Sequence, residues 1–146
     1  MASRDDDFER DPEDWLRRLS APEWIRAALA EFERARAAVL AHQRARAVAG
    51  FKRAAGMSLN AVLLVDPKLD WGRTYVEHLH ALVNEPRVPS EVVQAARLVL
   101  AAHVPASAVV ALHTPSEDAG LADATQCVMA YAYATLERRR SKEESL

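Results

Sequence analysis

The chain has little of what most catalytic or secreted scaffolds depend on. One cysteine in 146 residues cannot form an intrachain disulfide, which excludes a disulfide-built secreted scaffold. Four scattered glycines supply no phosphate-cradling loop, because such loops need glycines at fixed offsets. Five dispersed histidines and a single cysteine do not meet the ligand spacing of a zinc site, so no metal and no cofactor is expected. Aromatic residues make up 6% of the chain. Stacking on nucleic-acid bases needs rings interleaved with cations, and only Trp24 near Arg26 and Trp71 near Arg73 approach that pattern. The longest apolar stretch, Ala54 to Val65, is broken by Gly56, Ser58 and Asn60 and falls short of the roughly 20 residues that span a membrane. The first residues, Met-Ala-Ser-Arg-Asp-Asp-Asp, lack the apolar core of a signal peptide. The expectation is a cytoplasmic protein without membrane contact, with Cys127 as a reduced thiol packed in the core.

Alanine is what the chain has in excess, with 29 residues. Alanine loses the least conformational freedom on entering a helix, so an all-α fold is predicted. Half of the residues are hydrophobic, too many for a disordered chain, and the length suits one domain. The seven prolines, at 12, 22, 67, 86, 89, 105 and 115, then limit where helices can run. Ser20-Ala-Pro-Glu23 reads as a capping box, followed by a stripe of Ile25, Ala28, Phe32, Ala35 and Val39. A second stripe has Val48, Phe51, Ala55, Leu59 and Val62, with Gly50, Ala54 and Ala55 small enough to admit a neighbouring helix. One uninterrupted helix over 23–66 would be about 66 Å long, too long for a compact domain of this size, so a turn is placed near Ala41–Arg44. A short helix is expected over Arg73–Asn84. Another is capped by Ser90, with Val93, Ala96 and Leu100 facing inward. A last helix opens at Ser116 and carries Leu121, Thr125, Val128, Ala132 and Leu136. Val104 to Pro115 reads as an apolar covering loop. The three tryptophans read as rings that close the ends of the bundle. The short connections give a five-helix up-and-down bundle over 21–140, between an acidic tail at 1–20 and a polar tail at 141–146.

Charge is uneven. The net charge of −2 conceals −5 over residues 1–14 and +5 over residues 26–53. Arg44, Arg46, Lys52 and Arg53 are therefore candidates for contacting a nucleic acid, with the acidic tail as competitor. The alternative is an ordinary solvated face. A di-iron carboxylate bundle needs two Glu-x-x-His helices plus two further glutamates, and only Glu77-His78-Leu79-His80 approaches one of them. His78 and His80 are two apart and point to nearly opposite sides of a helix. One is expected to face solvent and the other to bond a loop carbonyl.

The second helix, Phe51-Lys-Arg-Ala-Ala-Gly-Met-Ser-Leu-Asn-Ala-Val-Leu, leads through a loop to Gly72-Arg-Thr-Tyr-Val-Glu-His-Leu. This layout resembles the HEPN family of small helical bundles over most of residues 22–140. The resemblance implies a homodimer, a nucleotidyltransferase-like partner protein in a toxin–antitoxin or defence locus, and either RNA or nucleotide binding or RNase activity. Catalytic members pair an Arg with a His after four to six residues, usually on the last helix. Here the pairs are Arg36–His42, Arg73–His78, Arg73–His80 and Arg97–His103, and the last helix has no histidine. The resemblance therefore implies a non-catalytic, homodimeric interaction or nucleotide-binding module, with Trp71, Arg73 and His78 as its ligand site. The alternative it allows is a metal-independent RNase in which Arg73 holds a phosphate and His78 or His80 moves a proton.

Overall fold

A computed structural model of the chain describes residues 15–66, 69–103 and 115–144. The expected covering loop and the first 14 residues of the expected tail lie outside them. The described residues form five helices and no strand: α1 (Ala21–Leu40), α2 (Arg44–Val65), α3 (Tyr75–Val83), α4 (Ser90–Ala101) and α5 (Pro115–Glu144).

Helix α1 starts where the sequence predicts. The Glu23 amide donates to Ser20 Oγ at 3.3 Å, and the Ser20 amide donates to Glu23 Oε1 at 3.0 Å. These two bonds satisfy donors that the first helical turn would otherwise leave unpaired. The fold begins earlier than residue 21, however. Leu16–Arg18 form a 3-10 turn, and the Trp24 indole N–H donates to the Leu16 carbonyl at 2.8 Å. Residues 15–20 thus pack on the bundle, because Trp15 and Trp24 meet edge to face at 6.3 Å. At the far end α5 remains helical through Glu144, past the expected boundary at 140.

The turn between α1 and α2 falls at residues 41–43, within the expected window. His42 turns the chain with φ of 59°, a left-handed conformation that histidine adopts more readily than most non-glycine residues. The returning helix α2 then lies close against α1. A Cβ added at Gly50 would stand 2.9 Å from Ala35 Cβ, so the missing side chain is what lets the two backbones approach. At Gly56 an added Cβ would collide with the Tyr75 ring of α3.

Helix α2 is the centre of the bundle and touches all four other helices. Its Val48, Phe51, Ala55, Leu59 and Val62 are buried, with Phe51 against Phe32 at a ring distance of 5.6 Å. By length and composition α2 could cross a membrane, but its most apolar window is 67% buried within the fold. The apolarity is accounted for by core packing, and each large side chain fully buried there contributes about 1.5–3 kcal/mol. Two hydroxyls enter this core without cost in unmade bonds, since Ser58 donates to the Ala55 carbonyl at 2.7 Å and Thr125 to Leu121 at 2.8 Å.

The expected α5 stripe is buried throughout, from Leu121 to Leu136. Helix α4 differs by one residue. Pro89 is its N-cap and Ser90 its first helical residue, with no side-chain cap, and the buried face is Val92, Ala95, Ala96 and Val99. Val93 and Leu100 flank that face instead of leading it. The Pro89 backbone starts the helix one position earlier than a Ser90 cap would, and the Pro89 carbonyl accepts from the amides of Val92 and Val93. Ala21, Trp24 and Leu136 share one cluster, which brings the start of α1 to the end of α5 and makes these two helices antiparallel.

Candidate functional site

The end of the bundle where α2 gives way to α3 contains the most polar part of the core. Thr74 caps α3 by accepting the Glu77 amide at 3.1 Å, and the Arg73 amide donates to Glu77 Oε2 at 3.3 Å. Gly72, at φ of 76°, turns the chain beneath the Glu77 carboxylate, where any side chain would collide. This entry angle points His78 inward, and it is fully buried. Its Nδ1 lies 2.8 Å from the Trp71 carbonyl and its Nε2 lies 3.0 Å from Asn60 Oδ1. Trp15 stacks on the imidazole at 6.2 Å and Tyr75 meets it edge-on at 6.3 Å.

The protonation state follows from these partners. A carbonyl can only accept, so Nδ1 carries the proton that bonds Trp71. Burial pushes the His78 pKa down, against the opposing pull of the Trp71 carbonyl and the Glu77 charge. The ring is therefore neutral and its Nε2 is an acceptor. Two acceptors cannot bond each other, so a neutral ring calls for the Asn60 amide in the flipped orientation, in which the otherwise unpartnered Nδ2 donates to Nε2. Both ring nitrogens are then occupied. His78 ties the 69–74 loop to α2, and a substrate proton has no path to it.

The structure joins Trp71 to His78 but leaves Arg73 apart from both. Arg73 and His80 are exposed while His78 is buried, and His78 and His80 point to opposite sides of α3. The sequence did not point to Asn60 or Trp15 as partners of His78. Asn60 does stand out as an amide in an apolar helix, where a polar group needs a partner.

The basic segment does not gather its four cations on one face, although Arg46 and Arg53 lie within about 20° of each other. At 100° per residue, Arg44 and Arg53 point to opposite sides of α2 and Lys52 lies between them. Arg44 pairs with Asp118 of α5. Lys52 donates to the Leu100 carbonyl at 3.4 Å, and Arg53 pairs with Glu31 of α1 at 3.2 Å. Arg46 bonds Gln43 in its own turn. Burial works against the Glu31 carboxylate, but Arg34 and Arg53 outweigh it and hold its pKa below the usual range. These cations brace the bundle against three different helices.

Two grooves open on the surface. One, of about 850 Å³, lies between α1 and α5 with α2 as its floor. Phe32, Phe51, Val39 and Ala122 line its base, and Arg36, His42 and Asp123 stand at its edges. The other runs across the opposite end and includes Trp71. Cys127 is partly buried, and burial followed by the nearby Glu91 charge raises its thiol pKa, the reverse of what a nucleophile needs. Among the described residues no group of His, Cys, Asp or Glu converges to hold a metal ion. No protein-family model, curated protein or solved structure matches the chain.

Proposed function

We propose that this protein is a non-catalytic, HEPN-like interaction module that works as a homodimer through its α1/α5 face. The observation that carries this is the 850 Å³ groove with an apolar floor and edges of opposite charge. Leu29, Arg36 and Leu40 fall within about 40° of one another around α1. Leu29 is 50% exposed and Leu40 is 82% exposed. Ala119, Ala122, Gln126, Ala130 and Tyr133 share the facing side of α5, where Tyr133 is 52% exposed. Among the described residues, three of the five exposed large apolar side chains therefore belong to this one face. A patch of that kind on a soluble domain marks an interaction site.

The occupant that fits is a second copy. Arg36 is on the α1 wall and Asp123 on the α5 wall. Because α1 and α5 are antiparallel neighbours, a two-fold axis over the groove sets each α1 wall on the partner's α5 wall. Opposite charges then meet and Leu40 enters the partner's groove. Arg36 pairs with Glu33 at 3.5 Å, an exposed pair of little energetic weight, and its guanidinium lies over the Phe32 ring at 5.9 Å. The face is about 30 Å long and two helices wide, on the order of the roughly 800 Å² that each partner contributes to a stable interface.

Sedimentation equilibrium at tens of micromolar tests the reading. The expected result is twice the 16.2 kDa chain mass for the natural protein and the single-chain mass for Leu40→Asp, with unchanged helical circular dichroism. Leu98→Asp, on the surface of α4, remains dimeric. A natural protein that sediments as a monomer, or a Leu40→Asp variant that sediments as a dimer, rejects it.

A further inference from the structure

The second groove is built differently, and its chemistry is that of a ligand with two opposite charges. It forms where the end of α2, the loop before α3, the α3–α4 turn and the last third of α5 meet. Two confluent cavities, of about 680 and 480 Å³, share Asp66, Leu69, Trp71, Glu85, Arg87 and Arg139. Both volumes lie in the range of small-molecule sites. Asp70 adds a third carboxylate on one limb and Arg138 a third guanidinium on the other. Among the described lining residues three carboxylates face three guanidiniums, a mixed set that suits a ligand carrying both signs better than a polyanion such as a nucleotide.

The two signs sit at different depths. The Asp66 and Glu85 side chains are 18% and 19% exposed, whereas their partners Arg139 and Arg87 are 47% and 76% exposed. The pairs are 3.2 and 2.9 Å long, and the Arg87 charge is also felt by Asp66 and Tyr131, so the two pairs are adjacent. Asp66 and Glu85 thus make an anionic floor beneath a rim of guanidiniums, with Asp70 exposed beside it. The guanidinium end of each pair is solvent-exposed, where screening weakens the attraction, so an incoming charge can displace it. Val62, Leu69 and Tyr131 supply apolar wall between the charged ends.

We infer that this groove binds a small zwitterion of the free amino-acid class. Its ammonium sits on Asp66 and Glu85, its carboxylate takes Arg87 and Arg138 at the rim, and its apolar body lies along Leu69 and Tyr131. The site is independent of the α1/α5 face and of the dimer proposed there.

Calorimetric titration of the full chain with L-leucine tests this, beside two analogues that each lack one charge, 4-methylpentanoate and 3-methylbutylamine. Saturable binding of leucine at millimolar concentration is expected. Each analogue binds about tenfold or more weakly, as loss of a charge-assisted bond requires. Arg87→Gln, an exposed substitution that leaves the fold intact, weakens leucine by a similar factor, and so does Asp66→Asn. Titration with L-phenylalanine repeats the test with a larger body. Absence of saturable heat with both amino acids overturns the inference. So does binding of 4-methylpentanoate as tight as leucine, which would make this an anion site, or leucine affinity unchanged in Arg87→Gln.

Discussion

At one end of the bundle His78 is enclosed by Asn60, Trp71, Trp15 and Tyr75, with both ring nitrogens bonded. At the other end His42 stands in the α1–α2 turn on the rim of an open groove, with its backbone in the left-handed region. Each histidine follows an arginine with four or five residues between them, but Arg73 is exposed where His78 is buried, while Arg36 and His42 border the same groove. At the closed end the ionisable side chain has become a structural tie. At the open end the ionisable groups are spread around an apolar floor and serve as borders. Residue types able to do chemistry do so only where a free nitrogen, a free oxygen and a substrate path coincide. Here burial closes the path to His78 at one end, while at the other Arg36 and His42 both border an open groove.

The contrast can be broken most severely at the closed end. His78→Ala removes a fully buried ring and two hydrogen bonds and strands the Asn60 amide. It should cost about 3 kcal/mol or more in urea unfolding followed by circular dichroism. A loss below about 1 kcal/mol, the worth of one ordinary bond, would show that the cluster is not a tie at all.

Acid is the next largest probe. Burial holds His78 below its ordinary value of 6.5, so the folded chain takes up this proton less readily than the unfolded chain. Its contribution to stability is complete above about pH 6.5 and is lost as pH falls from there toward the folded-state value, with a slope of at most about 1.4 kcal/mol per pH unit. His78→Gln, which cannot titrate, should flatten that part of the stability profile. A profile with the same slope in both proteins would place the titrating group elsewhere.

The open end should respond least. Leu40→Ala, at 82% exposure, should change the unfolding free energy of the isolated chain by no more than about 0.5 kcal/mol. A larger loss would mean that Leu40 already packs within its own chain and that the two ends are less different than they look.

Much of the fold was legible in the sequence, and the physical reasons differ by element. The capping box at Ser20, the stripes of α1, α2 and α5 and the proline boundaries are local signals, set by neighbours three or four residues apart. The face of α4 came out about one residue off because Val92–Val93 and Val99–Leu100 are adjacent apolar pairs that offer two overlapping stripes. The α1–α2 turn followed from compactness alone, since histidine carries no turn signal comparable to glycine at positive φ. The candidate site was less legible. One of the two histidines on α3 was expected to bond a loop carbonyl, and His78 does so. Its partner Asn60 lies 18 residues away on another helix, beyond any local pattern. The basic run of residues 44–53 looked like a surface because sequence shows charge but not direction. Arg44, Lys52 and Arg53 in fact lean on α5, α4 and α1.

All three tryptophans of the chain stand at the closed end: Trp15 on the His78 ring, Trp24 edge-on to Trp15, and Trp71 bonded to His78 through its carbonyl. The protein is therefore labelled on one side only. Its indole emission, excited where tyrosine does not absorb, originates at that end, and an imidazolium formed at His78 would quench the stacked Trp15. An emission titration reads the charge of His78 directly, while the α1/α5 groove contains no indole and is dark at the same wavelength.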